Sequence, residues 1–226
     1  MGQPLRRNTG LIQAIVFDFD GTLIDSNEIK LSAFYEVTAH ISGAVAELDR
    51  IFQDPNRGDR YDIFAALQAR LGSDAANLTK AYGERCEAVI LDKLANSRVT
   101  ETLDKLKSEG RKLFIASATP EVNLVAMLDK SELVTRFEGI YGRPAGKAEI
   151  LRRIMETNDL QRSMMVVVGD GEDDFRGAKE FGCRFVGIGP LFAGRAGIFI
   201  DSVEALIRPG FFEVMASSGA EKVHCE

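Results

Sequence analysis

Leu11-Ile-Gln-Ala-Ile-Val-Phe-Asp-Phe-Asp-Gly-Thr22 opens with an apolar, β-branched-rich run over residues 11–19 and halts at Asp-Gly. That is the pattern of a buried strand ending in a turn. Asp18 and Asp20 stand two apart at its end, and strand side chains alternate faces, so both carboxylates are expected to project the same way above the sheet edge. Two carboxylates this close do not titrate alike: one stays ionised as a nucleophile or metal ligand while the other carries a proton as general acid. Asp-Gly is also a common turn dipeptide, but an Asp inside Ile-Val-Phe-Asp-Phe is costly without a partner. Gly21 permits an unusual backbone conformation or close ligand approach, and Thr22 adds a hydroxyl.

Outward from this strand, residues 112–116, 164–168 and 184–188 are short apolar runs of the same character. Helical stretches over 100–109, 120–130, 147–157 and 173–181 separate them, so βαβ units and a parallel sheet covered on both faces are expected. Residues 138–141 and 198–200 are candidates for further strands. Residues 26–96 differ: Ile29, Leu31, Phe34, Tyr35 and Val37, then Ile63, Phe64, Leu67 and Leu71, and later Val89, Ile90 and Leu94, recur at helical spacing with no buried strand. The reading is an α/β, Rossmann-like three-layer core over 1–25 and 97–226, with an all-helical domain over 26–96 inserted after the first strand. Such an insert is expected over the carboxyl end of that strand, where open α/β sheets bind ligands. Residues 210–226 are less patterned and are expected to fray.

Composition bounds the function. The 226 residues carry 28 Lys plus Arg against 34 Asp plus Glu, a net charge of −6, which argues against a nucleic-acid partner. An acidic chain still binds an anion where a metal ion and local cations reverse the field. Cys86, Cys183 and Cys225 are too few and scattered for a disulfide framework or a zinc site, and an odd count fits a reducing compartment, so a cytoplasmic location is expected. The two early arginines lack a following apolar region, Arg6 stands where a myristoylation motif wants Ser or Thr, and no apolar run approaches a membrane span of about 20 residues. No membrane association is expected.

Gly169-Asp-Gly-Glu-Asp-Asp174 also follows a buried strand and packs four acids into five positions. Carboxylates from two strand ends, with oxygen ligands only, suit a hard metal such as Mg²⁺. Glu172 and Asp173 equally suit capping at a helix N-terminus, and Asp170 is kept as the metal ligand. Ser117 follows the strand over 112–116, just before a helix start with Pro120 in its first turn. Its hydroxyl, with backbone N–H groups there, makes an anion site, although Ser and Thr cap helices everywhere. Lys147 begins a helix, where a cation opposes the dipole; phosphate neutralisation or simple solvation accounts for it.

Taken together, these motifs resemble the haloacid dehalogenase superfamily, specifically phosphatases with a helical cap inserted after the first strand. Asp18-Phe-Asp-Gly-Thr-Leu-Ile-Asp-Ser26 resembles the first motif of that family, Ser117 the second, Lys147 the third, and Gly169-Asp170 with Asp174 the fourth. The resemblance implies that Asp18 is the nucleophile forming an aspartyl-phosphate, and that Asp20 protonates the leaving alcohol and then activates water. It implies Mg²⁺ held by Asp18, Asp20, Asp170 and Asp174, and a phosphate clamped by Gly21, Thr22, Ser117, Ala118 and Lys147. Many relatives place the third-motif lysine directly before a proline; here that slot is Arg143-Pro144, which keeps Arg143 in reserve. Thr119 competes with Ser117, and Asp173 with Asp174. Asp20 disfavours dehalogenation, whose enzymes lack it.

The expected reaction is Mg²⁺-dependent hydrolysis of a small phosphate monoester of the phosphoglycolate or sugar-phosphate type, by a monomer or homodimer. A phosphosugar mutase and a noncatalytic receiver-like module are the alternatives. Arg57, in the Asn-Arg-Gly break between cap helices, is the first candidate for contacting the substrate; Asn27 and Glu28 are weaker ones, since residues 25–28 also fit a capping box.

Overall fold

The computed structural model describes residues 12–95, 97–192 and 197–217. The chain divides into two compact units, Met1–Ile24 with Asn96–Glu226, and Asp25–Ala95.

In the first unit six parallel strands form one sheet. They are β1 (Ala14–Phe17), β2 (Lys112–Pro120), β3 (Gly139–Arg143), β4 (Met165–Gly169), β5 (Arg184–Ile188) and β6 (Ile198–Ile200), in the order β3-β2-β1-β4-β5-β6. β1, buried along its whole length, lies inside, with Phe17 opposite both Ile115 on β2 and Val168 on β4. The residues after these three positions therefore share one sheet edge, at the point where strand order reverses.

Side-chain alternation splits the core in two. Ala14, Val16, Phe114, Ala116, Met165 and Val167 pack on Ile150, Leu151 and Ile154 of α7 (Lys147–Thr157) and on Ala178 and Phe181 of α8 (Glu172–Phe181). Ile15, Phe17, Leu113 and Ile115 alternate to the opposite face and are fully buried. Helices α5 (Val99–Ser108) and α6 (Glu121–Lys130) pack against β2, and α9 (Phe211–Ser217) occupies part of the stretch expected to fray. Residues 218–226 and Leu11, the expected start of the first strand, lie outside the described residues, as do the residues of the leader and myristoylation readings and Cys225.

Two boundaries differ from expectation. β2 continues past residue 116 because a shift in register lets it keep pairing with β3: Ala116 faces Tyr141, but Pro120 faces Arg143. This bulge puts Pro120 at the N-cap of α6 rather than in its first turn. The β1 ladder ends near Asp18, whose N–H still reaches Val168 O at 2.9 Å; Asp20 lies beyond, in a turn bridged to Ile24.

The second unit is helical throughout its regular structure: α1 (Ser26–Thr38), α2 (Ala44–Phe52), α3 (Arg60–Leu71) and α4 (Ala75–Ala95). Its core gathers Phe34, Leu48, Phe64, Leu67 and Tyr82, with Phe64 5.2 Å from Phe34 and 5.8 Å from Tyr82 between ring centroids. Leu31, expected on the buried stripe, is exposed. Asp25 makes no capping hydrogen bond at α1, so no capping box forms there. One does form at α3, where Asp59 Oδ1 accepts the Asp62 N–H at 3.4 Å and Asp62 Oδ2 accepts the Asp59 N–H at 2.9 Å.

Phe64→Ala would empty a site touched by two rings and should cost about 3–5 kcal/mol. A lower urea midpoint by far-UV circular dichroism checks it; an unchanged midpoint would show that the helical core does not rest on this ring.

Candidate active site

The sheet order brings four charged side chains together. Asp18 follows β1, Asp170 follows β4, Asp174 lies in the first turn of α8, and Lys147 opens α7. Lys147 Nζ donates to Asp18 Oδ1 at 2.6 Å and to Ala116 O at 2.5 Å, and forms an ion pair with Asp174 Oδ1. The exposed Arg143, held in reserve for this role, lies at the end of β3, and no ion pair joins it to these acids. Asp174 Oδ2 accepts the Gly171 N–H at 3.1 Å, so Asp174 also closes the start of α8.

Burial governs the electrostatics. It pushes Asp18 up to about 7 from an ordinary 3.8, against the opposing pull of Lys147, and nearby Asp174 adds to the rise. Asp174 and Asp170 are also raised, chiefly by burial. Burial alone would lower Lys147, but the facing Asp18 and Asp174 outweigh it and hold the ammonium above its ordinary value.

One ligand oxygen from each of Asp18, Asp170 and Asp174 lies within 4.8 Å of the others. Asp174 Oδ1 is buried, with the Lys147 ammonium against it. Three converging oxygens with excess negative charge fit a hard divalent cation. Asp20, expected beside them, is not in this cluster: Thr119 Oγ1 donates to its Oδ2 at 2.7 Å. The two aspartates do not act as an alternating strand pair, because β1 ends before them and Asp20 opens the turn that closes at Ile24.

Gly21 makes that turn possible. Its φ is +81°, and a Cβ there would fall 2.0 Å from Asp170 Oδ2. Thr22 Oγ1 reaches Asp170 Oδ1 at 3.5 Å, so Thr22 supports the acid cluster. Ser117 is buried, and its Oγ accepts the Thr119 N–H at 3.1 Å while its own O–H remains a donor; Ala118 beside it is exposed. The Thr119–Asp20 contact is not legible in the sequence, because the bulge that aims it has no signature in single-chain periodicity. Arg57 belongs to the helical unit, where its guanidinium lies 5.9 Å from the centre of the Phe52 ring. Asn27 and Glu28 lie in the same unit, in the first turn of α1.

Residues 15–188 match the family model described as haloacid dehalogenase-like hydrolase. The chain is 26% identical over 220 residues to a phosphoglycolate phosphatase of Pseudomonas putida, covering 88% of this chain and 80% of that protein. It is 25% identical over 187 residues to a 5'-nucleotidase of Pseudomonas aeruginosa, covering 77% and 81%. A solved structure of a HAD-superfamily hydrolase, subfamily IA, from Geobacter sulfurreducens superposes with a TM-score of 0.65 at 21% identity, covering 90% of this chain and 98% of that one.

Lys147→Met leaves Asp18 and Asp174 buried without their counter-charge and should cost roughly 3–5 kcal/mol near pH 8. Because the folded value of Asp18 lies above its ordinary 3.8, its favourable contribution is present below about pH 4 and is lost as pH rises through about 7. Without Lys147 that loss deepens, so the penalty should shrink at pH 5. Urea unfolding at both pH values checks this; an equal penalty at both would contradict it.

Proposed function

The chain belongs to the haloacid dehalogenase-like hydrolases, and from that premise we propose that it hydrolyses a small-molecule phosphate monoester of the phosphoglycolate or sugar-phosphate kind through an aspartyl-phosphate on Asp18. The observation that carries this reading is the buried Asp18 carboxylate, held by Lys147 within a three-carboxylate cluster at the strand ends. A carboxylate nucleophile splits one hard displacement into two easier ones.

Asp18 attacks phosphorus, the bond to the leaving oxygen breaks, and Asp20 gives that oxygen its proton. In the second step Asp20 takes a proton from water as the water attacks phosphorus; the bond to Asp18 breaks and phosphate leaves. Lys147 and the Ser117 hydroxyl, with the backbone N–H of Ala118, bind the phosphoryl oxygens, while the Gly21 and Thr22 N–H groups, donated to Ile24 O at 2.7 Å and Phe19 O at 3.4 Å, shape the turn beside them. Asp18, Asp170 and Asp174 would hold Mg²⁺, which supplies charge neutralisation for the phosphoryl group. Arg57 is proposed to contact the rest of the substrate, with the insert setting substrate choice. Among the described residues no helix is long and apolar enough to cross a membrane.

Purified protein with Mg²⁺ should release phosphate from members of a phosphate-ester panel, and Asp18→Asn should lower turnover by at least about 10³-fold. No release across the panel, full activity of the variant, or an isomerised sugar phosphate without free phosphate would overturn the reading.

Mg²⁺ and a proton compete for Asp18, which holds its proton up to about pH 7 in the absence of metal. The rise in melting temperature on adding Mg²⁺ should therefore be larger at pH 8 than at pH 6, as read by differential scanning fluorimetry. A larger rise at pH 6 would contradict Mg²⁺ binding at Asp18.

A further inference from the structure

In the sequence Thr119 competes with Ser117 for the phosphate, but its hydroxyl is engaged elsewhere. Thr119 Oγ1 lies 2.7 Å from Asp20 Oδ2, between residues 99 positions apart. Four features of the bulge in β2 fix the backbone that carries that hydroxyl. The Thr119 N–H is tied to Ser117 Oγ at 3.1 Å, and the next residue, Pro120, is again registered against Arg143 of β3. Across the bulge, Gly142 presses so close that a Cβ on it would sit 2.4 Å from Thr119 O and 2.5 Å from Glu121 N. The Gly142 N–H also donates to Glu121 Oε2 at 3.2 Å. Asp20, by contrast, lies in a turn beyond the β1 ladder, where strand pairing does not set its side-chain direction.

We propose that Thr119 is a positioning residue for Asp20: its hydroxyl, anchored by the β2 bulge, holds Oδ2 so that Oδ1 is the oxygen turned toward the leaving group. This rests on the reading of Asp20 as the proton donor to the leaving oxygen. Geometry is what matters here, because a proton donor must meet its acceptor at hydrogen-bond distance as the bond breaks. A carboxyl turned away from that direction would leave the departing oxygen without its proton. The division of labour follows: Ser117 serves the phosphoryl group, and Thr119 serves the group that leaves.

The distinguishing readout is the leaving group. An alkyl phosphate departs as a strongly basic alkoxide and needs the proton, whereas p-nitrophenyl phosphate departs as a stable phenolate and does not. The ratio kcat/KM reports only steps up to leaving-group departure, so the later attack of water does not enter it. For Thr119→Val, kcat/KM on glycerol 2-phosphate should fall about 10- to 100-fold while that on p-nitrophenyl phosphate changes by less than about 3-fold. Thr119→Ser, which keeps the hydroxyl, should recover most of the loss, and Thr119→Ala, smaller than the wild type, should repeat the valine pattern if valine disturbs folding. Asp20→Asn should show the same selectivity more strongly. If Asp20→Asn is selective while the Thr119 variants lower both substrates alike, or neither, the positioning role is wrong and the reading of Asp20 stands. If Asp20→Asn is not selective, the reading of Asp20 itself fails.

Discussion

The Lys147 ammonium is the constraint on which the site depends. It stands in the first turn of α7, where the helix dipole disfavours a cation, and its side chain is nearly buried. Such a placement persists only because Asp18, Asp174 and the Ala116 carbonyl surround the charge. Those partners come from the end of β1, the start of α8 and the body of β2, so one side chain ties three segments to a fourth. A buried pair of this kind adds little net stability over an apolar replacement, yet losing one member leaves charge stranded. The arrangement is therefore better understood as a device for holding Asp18 than as a source of folding energy.

Around that charge the sheet edge assigns separate tasks to similar groups. Asp18, Asp170 and Asp174 converge, while Asp20 is drawn aside by Thr119. The two hydroxyls of Ser117-Ala-Thr119 are likewise used differently: Ser117 Oγ accepts the Thr119 N–H, and Thr119 Oγ1 donates to Asp20. Gly21 permits both the tight turn after β1 and the approach of Asp170, which any side chain at that position would block.

The helical unit follows other rules. Its order comes from an aromatic centre and from short polar closures such as the Asp59–Asp62 box. Periodicity found most of its buried stripe but misplaced Leu31, since a moderate apolar arc allows more than one choice of buried edge. The capping box expected over residues 25–28 failed for a related reason: the residue types were right, but Asp25 does not adopt the extended backbone that turns its carboxylate toward the helix start.

Local composition by itself determined the strand positions, the alternation with helices, the helical insert and the acidic strand ends, because each depends on short-range periodicity and on the cost of burying a carboxylate. It also placed Ser117 and Lys147 beside the correct elements. Only the tertiary structure decided which charges meet: that Lys147 rather than Arg143 reaches Asp18, that Asp174 rather than Asp173 faces that lysine, and that Asp20 pairs with Thr119. Those choices rest on strand order, on register and on one bulge. Each is a relation between segments far apart in the chain, and no pattern within any single segment carries it.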